Sequence, residues 1–121
     1  MAAAASITER FIKGSDNVIT LKLLEGGVQI SGAWTFLDIY IGNPVVLTIS
    51  RTSNSAGVAL TNGLLTIQPS QLSENVAPLI AEQVYPVFIK LRDATTHQAG
   101  AYFGAKDSIN KLFFEISDPP G

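Results

Sequence analysis

Residues 57–72 read GVALTNGLLTIQPSQL, two short apolar runs on either side of Asn62-Gly63 with Pro69 closing the second. Asn-Gly accepts the positive φ angles of a tight hairpin turn, so the pattern predicts strands over 58–60 and 64–68 folded back on each other. Asn62-Gly63 is thereby a scaffold corner rather than a piece of binding loop. The same alternation recurs outward from this hairpin. Towards the N-terminus, 18–24 (VITLKLL) is rich in β formers, Gly26-Gly27 turns the chain, and 28–30 leads into Ser31-Gly32. Residues 33–41 (AWTFLDIYI) are the longest strand candidate, ended by Gly42-Asn43-Pro44, and 45–51 (VVLTISR) follow. Towards the C-terminus come 84–92 (VYPVFIKLR), 101–105 and 111–117 (KLFFEIS). Period-two patterning of this kind marks half-buried strands.

Strand periodicity lapses in 69–83, PSQLSENVAPLIAEQ. Pro69 suits a helix start and Pro78 would break a long helix, so a loop with one or two helical turns is expected. Pro86 points to an edge-like, unpaired position for the strand that follows. At the N-terminus Ser6-Ile-Thr-Glu9 with Gly14 fits a capping box and a helix stop. A first strand at 7–13 competes and is preferred, because so short a helix is marginal alone. Seven or eight short strands with turn signals roughly every 8–12 residues predict a single all-β, immunoglobulin-like antiparallel β-sandwich over 7–117. Residues 1–6 and 118–121 are read as tails.

Composition narrows the function classes. The chain has 121 residues, 46% of them hydrophobic, enough for one domain with its own core. It has no cysteine, which removes disulfides and thiolate metal sites. Eight basic and ten acidic residues, scattered along the chain, give a net charge of −2 and argue against nucleic acid as a partner. MAAAASITERF lacks the basic region and long apolar stretch of a secretory leader. No apolar run approaches the ~20 residues needed to cross a bilayer, so no membrane partner is expected. His97, the only histidine, lies in the polar loop DATTHQAG and reads as a solvated loop residue. Asp16-Asn17 and Asp107-Ser108-Ile109-Asn110 offer too few oxygens for a hard cation and read as turn formers. Gly26-Gly27 and Gly42 open no helix that would cradle a phosphate. The expectation is a protein without catalysis, metal or cofactor.

One feature rises above that background. Split by parity, 33–41 places Ala33, Thr35, Leu37, Ile39 and Ile41 on a core stripe, and Trp34, Phe36, Asp38 and Tyr40 on the other face. In a sandwich the second face should be polar, yet it holds three of the chain's ten aromatics. Residues 84–92 repeat the theme, with Tyr85, Val87, Ile89 and Leu91 facing one way and Phe88 joining Lys90 and Arg92 on the other. Three readings stand side by side: cover by the 69–83 segment or the N-terminal arm, a protein–protein interface, or a platform for sugar rings. The candidate interface or ligand face is Trp34, Phe36, Asp38, Tyr40 and Phe88.

The order of motifs adds a resemblance. Asp16 to Leu24 (DNVITLKLL), Gly27 with Val28-Gln29-Ile30-Ser31-Gly32-Ala33, Asn62-Gly63-Leu64-Leu65-Thr66-Ile67 and Tyr85 to Asp93 (YPVFIKLRD) carry it. Over most of 7–117 the chain resembles small β-sandwich domains of tailed-bacteriophage virions, of the upper baseplate protein N-terminal type and related tail or neck proteins. Two departures from that pattern are plain. The segment before Tyr85 is longer than the compact glycine turn common there, and Trp34, Phe36 and Tyr40 stand at commonly polar positions. The resemblance implies an architectural virion protein, placed in baseplate, tail, neck or head-fibre attachment. Its partners would be copies of itself or other virion proteins; the alternative is a carbohydrate-binding or host-attachment module with a glycan partner.

Overall fold

A computed structural model of the chain describes residues 5–25, 28–29, 34–93, 98–104 and 110–119. His97, Gly26-Gly27, the Ser31-Gly32-Ala33 step and the Asp107 turn lie outside these residues. The strands, in chain order, are β1 (Ala5–Ile12), β2 (Ile19–Lys22), β3 (Leu24–Glu25), β4 (Val28–Gln29), β5 (Phe36–Gly42), β6 (Val45–Arg51), β7 (Val58–Thr61), β8 (Leu64–Ile67), β9 (Val84–Arg92), β10 (Ala101–Gly104) and β11 (Asn110–Ser117). A six-stranded sheet runs β1-β11-β9-β5-β6 with β10 also on β9, a three-stranded sheet runs β2-β8-β7, and β3 and β4 form a small pair of their own. The fold is an all-β sandwich, as expected, with nine strands in its two main sheets rather than seven or eight.

Alternation builds the core. Leu37, Ile39 and Ile41 of β5, Val87, Ile89 and Leu91 of β9, and Leu112, Phe114 and Ile116 of β11 all point inward. They meet Ile19 and Leu21 of β2, Val58 and Leu60 of β7, and Leu65 and Ile67 of β8 in one cluster. The hairpin at Asn62-Gly63 is the two-residue corner its sequence demands. Thr61 pairs with Leu64 across it, and both corner residues take positive φ, 49° and 78°.

Two expectations need correction. β1 is a strand, not a helix, but it joins β11 in parallel, Ala5↔Asn110 through Ile12↔Ser117, so the large sheet is mixed. These strands come from opposite ends of the chain. No hairpin dictates their direction, and inward Phe11 seats against Phe114 with ring centroids 5.8 Å apart. Second, Pro86 is not on an edge strand: β9 is central, between β5 on one side and β10 and β11 on the other. The ring is accommodated because the β5–β9 ladder ends at Ile41↔Val87, one residue short of Pro86. The 69–83 segment is the loop its sequence predicts, with a single 3-10 turn at Pro69–Gln71. It is anchored by Leu79, which is fully buried in the core, and its end is tied to β11 by Glu82 N–H to the Ile116 carbonyl at 2.7 Å and Ile116 N–H to the Gln83 carbonyl at 2.9 Å.

Candidate functional site

The outer face of the large sheet is assembled by register. Phe36 stands opposite Arg92, Asp38 opposite Lys90, and Tyr40 opposite Phe88 on the β5–β9 ladder. On the far side of β9, Tyr102 of β10 stands opposite Lys90. Directly opposed side chains in an antiparallel pair are close enough to touch, and the pairs that include a ring do. The Tyr40 and Phe88 rings stack with centroids 4.8 Å apart and planes 23° apart. The Arg92 guanidinium carbon lies 4.4 Å from the Phe36 centroid, and Lys90 Nζ lies 5.6 Å from that of Tyr102. Such pairs contribute roughly 0.5–1.5 kcal/mol each. Arg92 Nε is buried and has no hydrogen-bond partner among the described residues, consistent with a guanidinium laid on a ring rather than aimed at an acceptor.

Burial, and after it the neighbouring Asp38 carboxylate, pushes the Tyr40 phenol above its ordinary pKa. Its hydroxyl donates to Asp38 Oδ2 at 3.4 Å. Phe36 and Tyr102 remain 43% and 45% exposed, so neither the 69–83 segment nor the described part of the N-terminal arm covers them. Tyr40, Asp38, Phe88, Lys90 and Arg92 are half-buried.

Of the five residues picked from sequence, the structure brings four together. Trp34 stands apart. The chain bends at Thr35, whose N–H and hydroxyl both donate to the Arg92 carbonyl at 2.8 and 3.1 Å. Parity therefore does not extend back to position 34. Trp34 packs against the core and borders a depression of about 450 Å³ with Thr52, Leu60 and Asn62. Tyr102 belongs to the face and was missed. Its signal was present in 101–104, where Ala101 and Phe103 alternate inward around it, but the pairing to Lys90 is not local.

A second constellation lies at the end of β6. Arg51 is buried and forms a two-pronged ion pair with Glu74, its Nη2 donating to Oε1 at 2.8 Å and its Nη1 to Oε2. Its remaining donors reach the carbonyls of Ser50, Ser55 and Ala56. This cation is a tie between loops. Among the described residues no group of His, Asp and Glu side chains is placed to hold a metal ion, and no helix is long and apolar enough to cross a membrane.

No family model matches the chain, and comparison with curated proteins and with solved structures returns no match.

Proposed function

We propose that this chain is a non-catalytic structural component of a bacteriophage virion, in baseplate, tail, neck or head-fibre attachment, and that it works by subunit assembly. The observation that carries the assembly role is the outer face of the large sheet, where Phe36 and Tyr102 stay 43% and 45% exposed on a rigid surface beside Arg92 and Lys90. Aromatic rings and arginine are enriched in interface cores, and a ring fixed by a neighbouring cation loses little conformational freedom on docking. The resemblance to virion β-sandwich domains supplies the setting, and symmetry-repeated contacts would supply avidity.

The sugar-platform alternative needs flat ring faces open to a pyranose. Here Tyr40 and Phe88 turn faces to each other, while Arg92 and Lys90 lie over Phe36 and Tyr102. That geometry favours a protein contact. The test is self-association of the wild type and of a Phe36→Ser/Tyr102→Ser double variant, measured by sedimentation. Association weakened by at least about tenfold in the variant supports the reading, since two lost anchors exceed 1.4 kcal/mol. Association that is indifferent to the double variant removes this face from the role.

A further inference from the structure

The depression beside Trp34 shares no residue with the outer face and carries an inference of its own. It holds about 450 Å³ and is bordered by Trp34, the 52–54 loop, Leu60 and the Thr61-Asn62 corner. None of these residues carries a charge. Leu60 is buried, Trp34 is half-buried, and Thr52, Asn54 and Thr61 are exposed.

Each wall is held by bonds already in the fold. Trp34 precedes the bend at Thr35, which is fixed by two hydrogen bonds to the Arg92 carbonyl. The 52–54 loop runs from Arg51 to Ser55 and Ala56, whose carbonyls accept from the Arg51 guanidinium. Asn54 Oδ1 accepts the Leu60 N–H at 2.9 Å, which ties the loop to β7. That bond sets the carboxamide and leaves Nδ2 a donor without a partner among the described residues. On the remaining side Thr61 is paired with Leu64 at the root of the hairpin. Walls fixed in this way lose little freedom when a ligand binds.

We propose that this depression binds a neutral sugar ring. A pyranose has apolar C–H surface as well as hydroxyls, so it needs an apolar wall together with a few placed polar groups. An indole supplies the first, and the amide and hydroxyl side chains of Asn54, Thr52 and Thr61 supply the second. The outer face lacks this division, because its rings face each other or a cation. Among the described residues no ring and no cation lies over Trp34. The uncharged lining gives an acidic sugar no counter-charge, which sets the class as neutral. This site does not depend on the assembly role.

Trp34 is the only tryptophan in the chain, so its emission reports this site. The full chain is titrated separately with glucose, galactose, mannose, N-acetylglucosamine and N-acetylgalactosamine. At least one should give a saturable change, with half-saturation on the order of 1–10 mM for so small a ligand. No response to any of the five, or only a linear one that glycerol reproduces, would overturn the proposal. Asn54→Asp keeps the oxygen that accepts the Leu60 N–H and removes the amide donor. It should raise the half-saturation concentration about fivefold, the loss of one directed hydrogen bond. Thr61→Ala, at an exposed position, tests the opposite wall without touching that bond and should weaken binding in the same direction. Half-saturation unchanged in both variants would refute the site. The Phe36→Ser/Tyr102→Ser variant should bind the sugar as the wild type does; a lost response there would put the sugar on the outer face and overturn the assignment.

Discussion

Arg51 places all five of its guanidinium N–H donors on partners within the chain. A buried cation held this way adds little to stability relative to an apolar substitute, but removing one partner is costly. Arg51→Ala should lower unfolding free energy by about 3 kcal/mol in urea titrations, since Glu74 and three carbonyls lose their donor. The pH dependence follows from the same pair. Hydrogen bonds from Arg51 hold the Glu74 carboxyl below the ordinary carboxylate range against the opposing effect of burial. Its contribution is thus complete at neutral pH and is lost as the pH falls through the lowered folded-state pKa. Urea titrations at a series of acidic pH values should show a shallower loss of stability in Glu74→Gln than in the wild type. Gly57 is constrained differently. It sits at φ +81°, and a Cβ there would lie 2.8 Å from the Gln68 carbonyl oxygen and 2.9 Å from the Gln71 carbonyl carbon. Both are backbone atoms that cannot swing away, so Gly57→Ala should cost about 2 kcal/mol by thermal or chemical unfolding. Neither site was legible in the sequence: Arg51 and Glu74 are 23 residues apart, and isolated glycines in polar loops are common.

At the scale of the strand, parity was legible and proved right wherever the backbone stayed extended. Ile39 is fully buried and Phe36 is 43% exposed, as the alternation in 36–41 requires. Ile39→Ala should therefore cost about 3 kcal/mol in unfolding experiments, and Phe36→Ser less than about 1 kcal/mol. Comparable losses at both positions would contradict the assignment of faces. Parity failed at Trp34 because one bend at Thr35 cancels it, and a bend leaves no mark in an apolar–polar pattern. Pro86 misled for a related reason. Proline forbids a ladder bond at its own nitrogen, but sequence does not say where a neighbouring ladder stops. Here it stops at Val87.

For the whole molecule, the hairpin at Asn62-Gly63 and the strand count pointed to a sandwich. Long-range pairing was less accessible. The parallel β1–β11 ladder joins residues near the two ends of the chain, and neither strand's composition announces its partner. The proposed assembly role belongs to this scale too, because assembly is defined by what the surfaces meet. One surface stands out in the sandwich, the outer face where rings are held by cations. The measurement that tests the account most directly is the solution mass of the wild-type chain by light scattering across a wide concentration range. The account predicts a mass that rises from monomer to discrete multiples of it. A mass fixed at that of the monomer at every concentration would contradict it.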